Sequence, residues 1–403
     1  MSNVIKLNPE IREAIIESGG QDVIKCYQCG RCMAACPWNL LENTEYATYR
    51  FCQRIRLGAI IDSEEKEDIA ADTIDVFRCV GCDSCRRECP RGVSLSDVLR
   101  AVRRILVDYD SYPSELKSVI SRLYSTGNPL GESAEQRSAW ADELGVPRFD
   151  GNYEYLYFAC CIPSYDSRTQ IVAKATAALL KKAHVSFGIL GEQEFCCGEA
   201  VRRVGAEKVF QTAMKCNIDS FNKNHVKKIL TTSPHCQLTF TKEYTDKDPD
   251  IASVHVTQLF SHLIIKKRLV PKYPINKKVV YHDPCTLGRQ LDIYDEPRAI
   301  LKSIPGLKLV EVPVFNRELS VCCGAGAMGL WRDWPQDERL AHFRAQQILK
   351  TGADVLVVAC PYCLQMLEET MKSLNASIEI MDIAEILWSS VAGPEQEKID
   401  EAA

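Results

Sequence analysis

The 403-residue chain has no surplus of positive charge, no long apolar run and no nucleotide-binding fingerprint. Lys and Arg number 49 against 54 Asp and Glu, a formal net charge of −5. A nucleic-acid binder carries a basic excess instead. No apolar run approaches the roughly 18 residues of a membrane span, and the longest candidates, 256–265 and 355–359, are interrupted or strand-length. The first residues, MSNVIKLNPEIREAII, lack the basic-then-apolar layout of a secretion signal. These absences lead us to expect a cytoplasmic protein with no transmembrane segment of its own and no nucleic-acid partner. Neither G-x-G-x-x-G after a strand nor a P-loop occurs, so any flavin belongs to another chain.

What the chain has is cysteine, twenty in all, and material for real cores in a composition that is 46% hydrophobic. The length suggests two or three domains. In a reducing compartment cysteines serve as metal ligands or redox groups more often than as disulfides. Seventeen of the twenty fall into four spaced sets. Soft sulfur ligands at this density select iron–sulfur clusters, zinc or copper(I).

Two sets are short and identical in spacing: Cys26, Cys29, Cys32, Cys36-Pro37 and Cys79, Cys82, Cys85, Cys89-Pro90, offset by 53 positions. C-x-x-C-x-x-C-x-x-x-C-P is the ligand run of the bacterial two-cluster ferredoxins, where the close triplet holds one corner of a cubane 4Fe–4S cluster and the fourth cysteine reaches the other cluster. By that rule Cys26, Cys29, Cys32 and Cys89 share one cluster, and Cys79, Cys82, Cys85 and Cys36 the other. Two zinc sites are the alternative, but zinc takes separated pairs of ligands rather than a triplet plus one. Arg31, Arg78, Arg86, Arg87 and Arg91 crowd these loops. They either favour the reduced clusters and dock an acidic partner, or form an ordinary solvated surface.

The other two sets are long. The second is complete: Cys285, then Cys322-Cys323-Gly324, then Cys360-Pro361-Tyr362-Cys363, with 36 residues in each gap (286–321 and 324–359). Its five cysteines exceed what one cubane needs. The first has Cys161, Cys196-Cys197-Gly198 and Cys236, with Ser233 where the second copy has Cys360. Strand-like runs precede the ligands at 155–159, 228–232, 278–281 and 353–359. Helix-like runs follow at 169–183, 206–222, 338–349 and 364–374. Alternating strands and helices argue for parallel β/α units, with the cysteines at the carboxyl ends of strands, where open α/β sheets place ligands. Helical spacing also marks 45–61 and 94–109.

The expected fold is therefore α+β and multidomain: an N-terminal helical two-cluster ferredoxin domain (1–110), a polar connector (111–150), two repeated β/α Cys-Cys-Gly domains (151–270 and 271–392) and a polar tail (393–403).

At this point the strings CYQCGRCMAACP, CVGCDSCRRECPRGV, GNPLGESAEQRSAW, FGILGEQEFCCGEAVRRVG, YHDPCTLGR, CCGAGAMGLW and CPYC resemble the iron–sulfur subunits of heterodisulfide reductase. In that family a ferredoxin-like C-type chain and a twin Cys-Cys-Gly B-type chain occur separately or fused as a D-type chain, in the order seen here. The resemblance implies a noncubane 4Fe–4S cluster on Cys285, Cys322, Cys323, Cys360 and Cys363, with electrons arriving through the two cubanes from a flavin-containing A-like subunit. It also implies other redox subunits in the complex, and membrane association through partners. Paired noncubane clusters are the family's device for splitting a disulfide. Ser233 departs from that pattern and leaves three outcomes for the first set: a cubane on Cys161, Cys196, Cys197 and Cys236, a modified cluster, or none. Related chains with one intact set serve as electron-transfer modules, for example in class II benzoyl-CoA reductases.

Three cysteines stand outside the sets. Cys52 and Cys216 read as small buried hydrophobes, and Cys160 either packs or assists the altered site. His282 and His235, next to ligand cysteines, read as proton donors, as hydrogen-bond donors that tune a cluster, or as residues satisfying a turn. Trp140 and Trp331 read as packing.

Overall fold

The computed structural model describes residues 7–42, 44–59, 75–245 and 250–393. Positions 60–61 of the helical run at 45–61, and 394–403 of the polar tail, lie outside them. The chain divides into two compact units: Met1–Ile120 with Ala200–Phe210 and Gly324–Leu340, and Ser121–Glu199 with Gln211–Cys323 and Ala341–Ala403. Among the described residues no helix is long and apolar enough to cross a membrane.

The first unit is helical. Its central helix, Leu95–Asp108, buries Leu95, Val98, Leu99, Ala101, Val102 and Leu106, the i, i+3, i+4, i+7 stripe of an amphipathic helix. The 45–61 run forms the helix Thr48–Leu57, which ends where Gly58 turns left-handed. The two cysteine loops repeat in backbone as well as in sequence. Gln28 and Gly81, 53 positions apart, have φ of 58° and 66°, and Gly30 and Asp83 have φ of 78° and 57°. Each loop then enters a one-turn helix, Arg31–Ala35 or Ser84–Glu88, that stops at Cys36 or Cys89 in extended conformation. The following proline cannot continue it.

In the second unit the described strands form two four-stranded parallel sheets with the same topology. β1 (Tyr155–Phe158), β2 (Phe187–Gly188), β3 (Lys228–Thr231) and β4 (Ala252–His255) are ordered β2-β1-β3-β4. β5 (Lys278–Tyr281), β6 (Lys308–Val310), β7 (Val355–Val358) and β8 (Glu379–Asp382) are ordered β6-β5-β7-β8. The chain reverses direction across the sheet between β1 and β3, and again between β5 and β7. The crevice at the carboxyl ends of that strand pair is the usual ligand position. The inner strands β1, β3, β5 and β7 are buried on both faces, as helix-covered parallel strands must be.

The two repeats close each other's outer layer. Helix Ser167–Lys182 of the first packs on Ile383–Ala392 of the second, and Val256–Ile265 of the first packs on Asp295–Ser303 of the second. Arg168 clamps one of these contacts through Glu385 (2.9 Å), Glu368 (3.1 Å) and the Ile380 carbonyl (2.8 Å). The 111–150 stretch carries the helix Ser114–Thr126 and a tight loop around fully buried Asn128. Asn128 Oδ1 accepts the backbone N–H groups of Leu130, Gly131 and Glu132 at 3.1, 2.9 and 3.2 Å.

Candidate metal centres

None of the twenty cysteines is in a disulfide. In the first unit they surround two pockets. One, of about 450 Å³, is lined by Cys26, Cys29, Cys32 and Cys89, with Cys85 and Cys52 also on its wall. The other, of about 360 Å³, is lined by Cys36, Cys79, Cys82 and Cys85. Each pocket thus gathers a triplet from one loop with the fourth cysteine of the other loop. Backbone N–H groups point at the sulfurs, Gln28 to Cys26 and Val93 to Cys89, both at 3.4 Å. Such donors stabilise a negatively charged thiolate–sulfide group. Burial and neighbouring sulfurs push the Cys36 and Cys85 thiols well up. Four crowded thiolates therefore need a cationic centre between them, which iron supplies. Cys52, which the sequence places on a helix, hydrogen-bonds Cys26 and so belongs to the wall of the first pocket.

Arg103 braces the second loop from the central helix. Its buried guanidinium donates to the carbonyls of Val76 (2.7 Å), Cys79 (2.6 Å) and Arg203 (2.9 Å). The loop arginines divide. Arg78 is held by Glu338 at 2.8 Å and lies over Trp38 and Trp334, while Arg31 and Arg86 are exposed with loose carboxylate partners.

In the second repeat, all five cysteines of the complete set are buried at the carboxyl ends of β5 and β7 and in the loop before Gly324, none more than 7% exposed. Cys285 and Cys322 sulfurs are 3.6 Å apart, and those of Cys323 and Cys363 3.3 Å. Hydrogen bonds from Cys322 and Cys363 bring Cys323 down to about 5 against the cost of its burial. Burial raises Cys360, but hydrogen bonds from Cys363 and His235 bring it to about 5. These two are poised to be thiolates.

Fully buried His282 lies beside this set, its ligating atom within 4.8 Å of those of Cys323 and Cys363. Arg344 donates Nε–H to His282 Nδ1 at 3.1 Å, and Nε2 has no other hydrogen-bond partner. Burial and the Arg344 charge hold the imidazole far below its ordinary range, hence neutral. A neutral ring that accepts at Nδ1 carries its proton on Nε2. His282 therefore carries an unpaired N–H beside this set, and that nitrogen offers no lone pair to iron. Asp283 is tied elsewhere, by a bidentate pair with Arg298 at 2.7 and 2.9 Å.

The first repeat assembles a matching site. Cys161 contacts Cys196, and Cys197 contacts both Cys196 and Cys236. Asn217 and Tyr244 fix the doublet by bonding the Cys196 and Cys197 carbonyls, each at 3.1 Å. Arg137, 2% exposed at its side chain, pairs with Glu194 at 3.1 Å and points Nη1 at Cys161 Sγ, 3.7 Å away. His235 pairs with Glu199 (3.1 Å) and packs its ring against Tyr362 of the second repeat (centroids 4.8 Å apart), and Glu199 and Cys360 push its imidazole well up. The two cysteine sites of this unit are thus linked through one histidine. Trp140 packs edge-on against Tyr157, as a core residue. Arg137, Arg344, Glu199 and Asn217 carry no signature beside the cysteine motifs, and only the fold brings them there.

Comparisons with known proteins agree with this architecture. A 4Fe–4S dicluster domain matches residues 22–93, and a cysteine-rich domain matches twice, at 155–241 and 279–368. An EtfAB:quinone oxidoreductase of Syntrophomonas wolfei is 30% identical across 94% of the chain, which spans only 60% of that protein. The D-type chain of the dihydromethanophenazine:CoB–CoM heterodisulfide reductase of Methanosarcina barkeri is 28% identical across 90% of the present chain and 92% of its own length. A crystal structure of a hypothetical protein from Helicobacter pylori covers 98% of the chain and 75% of its own, at a TM-score of 0.55 and 11% identity, a likeness of fold alone. The chain belongs to the iron–sulfur oxidoreductase proteins that join a 4Fe–4S dicluster domain to two cysteine-rich domains, with D-type chains of heterodisulfide reductase among its homologues.

Proposed function

We propose that the chain is the iron–sulfur redox subunit of a heterodisulfide-reductase-like complex. It takes electrons from a flavin-containing A-like partner and delivers them to a disulfide, or to a further acceptor, at the second repeat. The observation that carries this reading is the convergence of five buried cysteines, two of them poised as thiolates, in a chain whose other unit gathers two crossed four-cysteine sets. Cys26, Cys29, Cys32 and Cys89 would hold one cubane 4Fe–4S cluster, Cys79, Cys82, Cys85 and Cys36 another, and Cys285, Cys322, Cys323, Cys360 and Cys363 a noncubane one. When bound, these groups supply one-electron transfer and, at the five-thiolate site, an iron on which sulfur can bind.

The protein's residues do the rest. The buried cysteines keep water from the second-repeat site, His282 carries an unpaired N–H beside Cys323 and Cys363, and Glu199 orients His235. Similarity to the D-type chain of a heterodisulfide reductase, over 92% of that chain's length, supports a disulfide as acceptor.

A second reading, electron relay with the reaction on another subunit, is favoured by the EtfAB:quinone oxidoreductase, whose name contains no disulfide. On either reading, membrane association runs through partners. Electron paramagnetic resonance of the oxidised anaerobic protein with added thiol separates them. A thiol-dependent signal, with disulfide reduction from an artificial donor, is expected. Absence of both, with the iron present, leaves the relay.

A further inference from the structure

The first repeat lacks a cysteine at 233 but has one at 160. Aligned on their strands, Tyr157-Phe158-Ala159-Cys160-Cys161 matches Tyr281-His282-Asp283-Pro284-Cys285, so Cys160 stands where the second repeat has proline. Its φ is +80°, on the side of the map that L residues rarely adopt and that a proline ring forbids. The turn puts the Cys160 thiol beside Cys236, whose own thiol it helps to push well up.

In the second repeat Cys360 makes the same contact with Cys363, the counterpart of Cys236. The remaining pairs correspond as well: Cys161 with Cys196 as Cys285 with Cys322, and Cys197 with Cys236 as Cys323 with Cys363. Ser233 is otherwise engaged. It is the N-cap of the helix Pro234–Thr239 and its hydroxyl accepts the Cys236 N–H at 3.5 Å.

All five first-repeat sulfurs are buried, Cys160 at 4% exposure and the others at 1 to 4%. A second observation points to an anionic ligand among them. Arg137 Nη2 is buried with no hydrogen-bond partner, on a guanidinium whose Nη1 already faces Cys161. An N–H left open on a guanidinium beside clustered sulfurs suits the negative charge of thiolates and sulfide.

We infer that Cys160 is the fifth thiolate of the first-repeat site, supplying from the end of β1 the sulfur that position 233 no longer provides. Cys160, Cys161, Cys196, Cys197 and Cys236 then hold an iron–sulfur cluster as their five counterparts do. The inference rests on the proposed reading that the repeats carry clusters.

The test is iron and sulfide content with Mössbauer spectra of anaerobically purified full-length variants. Cys160→Ala is expected to lose one cluster's iron and its spectral component, and Ser233→Ala to lose neither. The double variant Cys160→Ala/Ser233→Cys returns a thiol at a different backbone position and is expected to recover the iron, which no folding defect at 160 would allow. Retention of wild-type iron and spectra by Cys160→Ala, while Cys161→Ala removes a component, overturns the role of Cys160 and leaves the proposed function standing. Wild-type protein with iron for the first unit alone overturns both.

Discussion

Because Arg344 holds the proton of His282 on Nε2, that histidine stands ready as a hydrogen-bond donor beside the second-repeat sulfurs. The corresponding position in the first repeat is Phe158, with Arg137 over its ring at 5.4 Å, so the two sites differ in one N–H donor. His282→Phe is expected to leave iron content unchanged and to lower the second-repeat midpoint potential by on the order of 50 mV, the equivalent of one hydrogen bond of about 1 kcal/mol. A redox titration followed by paramagnetic resonance measures it, and loss of iron in that variant would show a ligand instead.

His255 is a separate case. It is wholly buried between Thr257 Oγ1 (2.8 Å) and the Thr232 carbonyl (2.9 Å), and burial lowers it to about 4. A depressed histidine favours folding above its unfolded value of about 6.5. That stability is lost as pH falls through about 4, because the unfolded chain then binds the extra proton. The loss is on the order of 3 kcal/mol. Urea unfolding between pH 7 and 4 is expected to show this slope, and His255→Gln to flatten it.

Among the elements, Gly205 makes a close approach to the central helix of the first unit. It has φ of +88°, and a Cβ there would stand 2.4 Å from the Arg104 nitrogen of the central helix. Both the conformation and the backbone clash oppose a side chain, so Gly205→Ala is expected to cost at least about 1 kcal/mol, read as a lowered melting temperature. Periodicity made the central helix legible within a residue at each end, since its buried stripe is written in Leu95, Val98, Leu99 and Val102. The four inner strands were legible as short apolar runs ahead of the cysteines, and the outer β2, β4, β6 and β8 were not. The assignment of Ala200–Phe210 and Gly324–Leu340 to the first unit was not. Nothing in local hydrophobicity says which core a short segment joins. The loop around Asn128 was equally hidden, because its polar sequence reads as surface until Oδ1 is seen collecting three backbone N–H groups.

Across the whole molecule the cysteines differ in their access to solvent. Cys29 is exposed and Cys26 and Cys32 are partly so, whereas every set cysteine of the second unit is buried. Oxidants reach exposed thiolates first. On admission of air, iron held at the Cys26 pocket is expected to be lost before that of the repeats, giving two phases in absorbance and iron release. A single phase would contradict this.

The four cysteine sets, and with them an iron–sulfur protein, could be read from spacing, because sulfur ligation needs particular residues at particular separations. The partners that tune those centres could not. Arg344 is 62 positions from His282 and Arg137 24 from Cys161, and charges so placed look like surface until the fold buries them. Cys160 was visible but ambiguous, since its part depends on a backbone angle that spacing does not encode.

The exchange of outer helices between the repeats has a consequence for how such chains vary. A substitution on Ser167–Lys182 is answered on Ile383–Ala392, and one on Val256–Ile265 on Asp295–Ser303. Descendants of the two copies must therefore change in pairs drawn from opposite repeats, and covariation in this family would link positions some two hundred residues apart in the first pair, Arg168 with Glu385 foremost, and about forty apart in the second.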